Sequence, residues 1–304
     1  MKITDRRRFL QASLGTLAGL AAAPHLGLAK SGPAAQKLTE RVTVIGGVPG
    51  NVVALSVPEG VLLVDSGSAA LAPSLKSSLG SAAVRTLFNT HYHADQTGGN
   101  ALFGNAGAAI HAHVITKQWL ANDYYVPAED RWVKALPAKA QPTVTFRGQG
   151  TLTAGKESIE YGYLLEAHTR GDIYVFFRDS NVLAVGDVAS PERDPVLDWF
   201  TGAWIGGRAD AMADLVKLAN DDTKIVPAYG PVMTKADLAA ESDLMKQLYD
   251  LTTDATDKGR SAQDMLDDNL LGKVGRKFQD PYKFLYDVSK GNWGHYTNFG
   301  GNIV

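Results

Sequence analysis

The stretch NTHYHADQTGGN, residues 89–100, gathers two histidines and an aspartate into five residues and then breaks off at Gln96. It follows VRTLF, a short apolar run that reads as a buried strand. In α/β sheets the groups that bind or react collect where strands end, so a histidine-rich loop in this place reads as a site. His91 and His93 are two residues apart, and on an extended segment their side chains and that of Asp95 share one side. Imidazole nitrogen and carboxylate oxygen suit zinc, and a catalytic zinc keeps three protein ligands beside an open position. A third ligand therefore has to come from elsewhere in the chain.

Moving outward, RVTVI and NVVALSV carry β-branched runs, PEG makes a turn and VLLVDSG reads as a buried strand ending in an acidic turn, which together give an opening β-hairpin, and SAALAPSLKSSLG reads as a short helix. AAIHAH is a strand and VITKQWLANDYY is helical in pattern. The middle of the chain turns to strands in PTVTF, TLTA, ESIEYGYLLEA, DIYVFF and NVLAVGD. Helices return at RADAMADLVKLAN and KADLAAESDLMKQLYDL, on either side of the strand KIVPA. Each half runs from strands to helices, which predicts two sheets packed face to face with helices outside. From about residue 250 the chain is polar and helical in pattern as far as PYKFLYDV, and the Gly- and aromatic-rich tail GNWGHYTNFGGNIV reads as an appendage.

Three more strand ends carry polar groups that could complete a site. EAHTRGD places His168 after ESIEYGYLLEA, LAVGDVAS places Asp187 after an apolar strand, and VPAYGPV places Tyr229 after KIVPA. The ordered set VDSG, THYHADQTGGN, AHTRGD, VGD and VPAYGP resembles the metallo-β-lactamase superfamily across nearly all of the chain beyond its N-terminus. The resemblance implies an α/β fold, the four-layer αββα sandwich, over residues 30–250, with residues 251–304 as a C-terminal helical extension packed on the same domain. It also implies that His91, His93 and His168 hold a first metal, that Asp95 belongs to a second, and that Asp187 bridges the two. The WIGG segment with VPAYGPV further resembles periplasmic members found beside sulfur-oxidation and quinoprotein alcohol-oxidation systems.

Two positions depart from the family pattern. The histidine expected after Asp95 is Gln96, and the final histidine is Tyr229. An amide oxygen is a weak zinc ligand, and a phenol has to lose a proton of pKa about 10 to become a good one. Both losses weaken the second metal, so the sequence predicts one zinc per chain, with iron or manganese left open. Asp95 is then free to take a proton as a catalytic base, while Tyr229 bonds to Gln96 or donates to a substrate oxygen. Asp187 stays a weak ligand or orients a histidine.

The composition narrows the alternatives. The 304 residues are 45% hydrophobic and 20% charged, with a net charge of −2, which leaves no basic footprint for nucleic acid. With no cysteine there is no thiol nucleophile, thiolate ligand or disulfide framework. TDRRRFLQ followed by ASLGTLAGLAAA reads as a twin-arginine-type signal peptide over residues 1–29, cleaved after Ala29, which predicts an exported, periplasmic protein. Its apolar run is shorter than the roughly 20 residues that span a bilayer, so no stable membrane anchor is expected.

Other motifs carry less weight. No G-x-S-x-G elbow occurs, and GTLTAGKE at residues 150–157 has Glu157 where a phosphate-binding loop needs Ser or Thr, with a strand pattern following. His111 and His113 share a strand face as ordinary hydrogen-bonded residues, and His25 and His295 are set aside. Trp119, Tyr124, Tyr125, Trp132, Trp199, Phe200 and Trp204 are candidates to wall a cleft for a small-molecule substrate. The expected activity is hydrolysis of a carbonyl-type bond (ester, thioester, lactone or lactam) by a zinc-bound hydroxide. Phosphodiesters are disfavoured because their cleavage relies on two metals. The rival is a non-catalytic member of the superfamily that binds a metal or ligand. The sequence leaves the oligomeric state open.

Overall fold

Strand β4 (Gly60–Val64) follows β3 (Val52–Val57), and the side chains of both alternate between two apolar cores. Val53, Leu55, Leu62 and Val64 face one cluster, whereas Val52, Ala54, Val61 and Leu63 face the other. A strand buried on both faces has to sit inside a layered structure, and this period-two partition builds the layers here.

The structure, a computed structural model, describes residues 33–126 and 130–297 of the chain. The expected signal segment, His25 and residues 298–304 of the tail lie outside the described residues. Among the described residues, no helix is long and apolar enough to cross a membrane.

The first sheet has seven strands. β1 (Ala34–Lys37), β2 (Val42–Gly46), β3 and β4 run antiparallel, and β5 (Val84–Phe88) and β6 (Ala109–His113) continue in parallel. Two short strands, β7 (Tyr124–Val126) and β8 (Arg131–Val133), pair as a separate ribbon, and β9 (Val144–Phe146) closes the sheet beside β6. The second sheet orders β10 (Gly150–Ala154), β11 (Glu157–Tyr163), β12 (Ile173–Phe177), β13 (Val182–Gly186) and β14 (Lys224–Pro227), antiparallel except for the last pair.

Between the sheets, Val53, Leu55, Leu62, Val64 and Phe88 meet Ile159, Ile173, Val175, Phe177 and Val226 in one buried core. Outside the first sheet, Leu75 of α1 (Ala72–Ser78) and Phe103 of the short helix α3 (Asn100–Asn105) pack on Leu63, Leu87 and Ile110, with α2 (Ala94–Thr97) just before α3. Outside the second sheet, Tyr174, Phe176, Leu183 and Val185 pack against α5 (Ile205–Leu218), α6 (Lys235–Asp257), α7 (Ala262–Asp267) and α8 (Pro281–Thr297). The order helix, sheet, sheet, helix is the αββα sandwich.

Two local expectations are corrected. VITKQWLANDYY is not helical throughout: α4 (Val114–Ala121) stops at Asn122, and Tyr124 to Val126 pair with β8, because the Asn-Asp turn breaks the helix ahead of strand-favouring aromatics. The glycine-rich segment is helical as far as Thr297. At Gly291 an added Cβ would lie 2.9 Å from the Ala203 carbonyl oxygen, so α8 passes close there because a side chain is missing. Capping boxes at Thr234 with Asp237 and at Ser261 with Asp264 start α6 and α7.

Candidate metal centre

Five strands of the two sheets end at the site. β4 delivers Asp65, β5 leads into Thr90, His91 and His93, β11 into His168, β13 into Asp187, and β14 into Tyr229. Gly186 makes the closure possible: its φ is +57°, and an added Cβ would lie 2.8 Å from the Thr90 Cβ across the two sheets.

Among the described residues, His91, His93 and His168 form the one group of potential ligands whose donor atoms all lie within 4.8 Å of one another. The hydrogen bonds assign each ring a free nitrogen. The Thr90 hydroxyl donates to Asp65 Oδ2 at 2.7 Å, so its oxygen accepts from His91 Nδ1 at 3.1 Å and leaves Nε2 with a lone pair. His168 Nδ1 donates to the Val196 carbonyl at 2.9 Å, which frees Nε2. His93 Nε2 donates to Asp198 Oδ2 at 3.1 Å, which leaves Nδ1 facing His168 Nε2 at 3.2 Å. Three lone pairs converge.

A metal fits this arrangement. His91 Nε2 is buried without any hydrogen-bond partner, and an unmet buried ring nitrogen is costly unless something binds it. Burial, followed by the neighbouring His93, drives His91 well below the ordinary histidine pKa, and burial with His91 and His93 does the same to His168. Both rings are thus held neutral, as ligation requires. In His93, burial acts downward but the hydrogen bond and charge of Asp198 outweigh it, so its pKa is raised.

The remaining predicted residues lie beside the three histidines in a different arrangement. The Tyr229 hydroxyl donates to Asp95 Oδ2, and Gln96 Nε2 reaches the same oxygen at 3.4 Å. The expected bond between Tyr229 and Gln96 is therefore replaced by one to Asp95, the stronger acceptor, and Gln96 Oε1 is buried without a partner. Burial and the Asp95 bond push the phenol pKa upward and keep it a neutral donor. Asp95 lies in the first turn of α2 and is not on an extended segment as the spacing argument assumed. Gln96 fits because residue 50 is glycine: a Cβ there would lie 2.6 Å from Gln96 Nε2. Asp187 Oδ2 lies 3.5 Å from His168 Nε2 and pairs with Arg193. Burial raises the Asp187 pKa, and Arg193 and Arg208 pull against it.

Sequence reasoning missed three groups. Asp65 accepts the amide and hydroxyl of Thr90, at 2.8 and 2.7 Å, and burial lifts its pKa to about 8 against those bonds. Asp198 accepts from His93 and from the Tyr92 hydroxyl. Arg193 pairs with Asp187 and lies 3.6 Å from the centroid of the Tyr229 ring. Asp65 had a signal in the acidic turn of VDSG, whereas Asp198 and Arg193 sit in a loop whose sequence carries no motif.

The aromatic candidates divide. Trp119 stacks on Tyr92 and meets Tyr124 and Phe200, and Tyr92 in turn touches His93 edge-on at 4.6 Å, so this cluster adjoins the centre. Trp199 packs on Phe200 and Tyr286. Tyr125 and Trp132 pair on the exposed ribbon. Trp204 stacks on His295 at 3.6 Å in a groove that none of the three histidines lines. His113 caps α4 and stacks on Tyr163, and His111 lies against Phe88 with its Nδ1 lacking a partner. GTLTAGKE forms β10, a turn and the start of β11, where buried Glu157 pairs with Arg41 at 2.7 Å.

The comparisons with known proteins agree with this architecture. A metallo-β-lactamase from Pontibacter korlensis superposes with a TM-score of 0.59 at 19% identity, covering 70% of this chain and 99% of that one. The DIM-1 metallo-β-lactamase gives 0.58 at 16% identity over 71% and 98%. A double mutant of the sec-alkyl sulfatase PisA1 gives 0.62 at 14% identity over 88% of this chain and 50% of that one. The sequence profile of the metallo-beta-lactamase superfamily matches residues 45–230, from the opening hairpin through the turn that bears Tyr229. With that match over more than half of its length and three histidines converging at the strand ends, the chain belongs to the metallo-β-lactamase superfamily and is a metallo-hydrolase.

Proposed function

We propose that the protein hydrolyses a carbonyl-type bond, in an ester, thioester, lactone or lactam, with a single zinc held by His91 Nε2, His93 Nδ1 and His168 Nε2. The observation that carries this reading is the buried, unpartnered Nε2 of His91 facing two further rings whose opposite nitrogens are already engaged. When bound, zinc supplies Lewis acidity: it polarises a carbonyl and makes water acidic enough to be deprotonated near neutral pH.

The chain's own residues then divide the work. Asp95 Oδ2 holds Tyr229 and Gln96, and the other carboxylate oxygen accepts the proton of the attacking water. Tyr229 fixes that carboxylate and, as a neutral phenol, can donate where negative charge develops on the substrate. Tyr92, Trp119, Tyr124 and Phe200 wall one side of the site and exclude water from an apolar substrate portion. The Val196 carbonyl orients His168 by accepting from Nδ1, and Asp187 Oδ2, 3.5 Å from the Nε2 left for the metal, stands beside the metal position as a weak ligand. The reading includes export to the periplasm through the twin-arginine-type segment of residues 1–29, a catalytic domain over residues 30–250 and a helical extension over residues 251–304.

Asp95→Asn on zinc-loaded protein, assayed on a panel of chromogenic esters, thioesters and lactones, should lower turnover by about 100-fold or more. Metal content should not change. A fall in metal content would make Asp95 a ligand and remove the base role. The bond from Tyr229 to Asp95 favours a second reading, a non-catalytic metal- or ligand-binding member, because it occupies an oxygen of the base. Wild type that turns over nothing on the panel would support that second reading.

A further inference from the structure

In this superfamily's site, the space bounded by Asp187, residue 229 and Asp95 is where the sequence resemblance places a second metal. Here a side chain reaches it. Arg193 Nη2 pairs with Asp187 Oδ2, the same oxygen that lies 3.5 Å from His168 Nε2, so one carboxylate links the histidine centre on one side to a guanidinium on the other. The guanidinium carbon lies 3.6 Å from the Tyr229 ring centroid, and that ring's hydroxyl donates to Asp95. Of the three groups, Asp187 is paired with the cation, Tyr229 is stacked by it, and Asp95 is tied to it through Tyr229. Arg193 Nε is buried with no hydrogen-bond partner, so the side chain keeps a donor in reserve.

The cation is also held in place from behind. Arg276 Nη2 donates to the Arg193 carbonyl and, at 2.6 Å, to the Ser190 carbonyl. Arg208, itself wholly buried, donates to the Asp187 carbonyl at 2.9 Å, the Ser190 hydroxyl at 2.7 Å and the Val196 carbonyl at 2.6 Å. Asp194, next in the chain, accepts the amides of Gln279 and Asp280 at the start of α8. A guanidinium keeps its charge throughout the working pH range. A second divalent ion would have to take Asp187 from it and sit against a fixed positive charge.

We propose that Arg193 is the built-in replacement for the second metal: its guanidinium supplies the second cation of the site and keeps a second metal out. Gln96 and Tyr229 are then neutral partners suited to that cation, and their replacement of histidines is not by itself the cause of mononuclearity. The inference rests on the single-metal reading above.

The test counts metal per chain by elemental analysis and native mass spectrometry after equilibration with zinc. It compares wild type, the double variant Gln96→His with Tyr229→His, and the same double variant carrying Arg193→Ala. The expected counts are one, one and two. Arg193→Gln is run in parallel with Arg193→Ala, because it can still donate a hydrogen bond to the buried Asp187 if the alanine variant fails to fold. Two metals in the double variant with Arg193 in place would overturn the proposal while leaving the single-metal reading intact. One metal in the folded triple variants would overturn it as well. Wild type that holds no metal, or two, would overturn the single-metal reading and this inference with it.

Discussion

Asp198 shows how a single carboxylate can set a ring. It accepts Nε2–H of His93 at 3.1 Å and the hydroxyl of Tyr92, the residue between the two histidines, so both neighbours in the histidine motif lean on one acceptor. Partners of this kind fix the tautomer and raise the basicity of a ligating ring. Asp198→Ala should therefore weaken zinc binding by about 10–100-fold, read by competition with a chromophoric chelator. Unchanged affinity would mean that packing alone orients His93. Asp65 makes a different prediction. Its folded-state pKa is raised by burial from 3.8 to about 8, so the stability tied to its proton is fully present below about pH 4 and is lost as pH rises through about 8. Thermal unfolding of zinc-free protein should thus show a Tm that falls between those limits. Asp65→Asn, which keeps an acceptor for the Thr90 amide and cannot ionise, should flatten the slope; an unchanged slope would place the titration elsewhere.

At the scale of elements, the loop that leaves β13 is organised by α5. Arg208 reaches out of that helix and binds the loop at residues 187, 190 and 196, and it has no exposed surface. Burial pulls its pKa down to about 10 while Asp187 and Asp172 pull it up, so it remains charged at neutral pH and needs every one of those acceptors. Arg208→Met removes the charge, takes the guanidinium donor from the Asp187 carbonyl and the Ser190 hydroxyl, and leaves the Val196 carbonyl with His168 Nδ1 as its remaining donor. It should cost about 3–5 kcal/mol in urea-induced unfolding, with Val196 no longer fixed under His168. A cost below about 1 kcal/mol would show that Arg276 and the Asp194 contacts to α8 hold the loop unaided.

For the whole molecule, a metal that ties His91 and His93 from the first sheet to His168 from the second links the two halves of the sandwich. Removing it should destabilise the fold globally. Saturation at 100 times Kd corresponds to about 2.7 kcal/mol by linkage, and a chain of this size shifts on the order of 2–4 °C per kcal/mol. Chelation should therefore lower Tm by roughly 5–10 °C, with recovery on adding zinc, and an unchanged Tm would argue against a metal bound in the folded state. At this scale the architecture was largely legible in the sequence. VVALSV and VLLV read as buried strands and the order of strands and helices in each half predicts the two sheets, while the partition of Leu62 and Val64 from Val61 and Leu63 between two cores is set by the folded layers. The helical reading failed at Tyr124 to Val126, where aromatic residues pair in a ribbon and tertiary pairing overrode a local pattern.

The division between the two sources of information follows the range of the interactions. His91, His93, His168, Asp95, Asp187 and Tyr229 were legible because each follows a strand whose local pattern announces its end. Together with the family profile they determine the fold and the three-histidine centre. Arg193, Asp198 and the bond from Tyr229 to Asp95 were not, because their meaning lies in contacts between segments far apart in the chain: Asp198 with His93, and Arg193 stacked on a ring that itself reaches Asp95. Burial raises the energetic stake of every unpaired charge or donor, yet which partner satisfies it depends on how two sheets and a loop close upon one another. Only the tertiary structure decided that a guanidinium pairs with Asp187 and stacks on Tyr229, beside the second-metal position that the altered motif had led one to expect weakened.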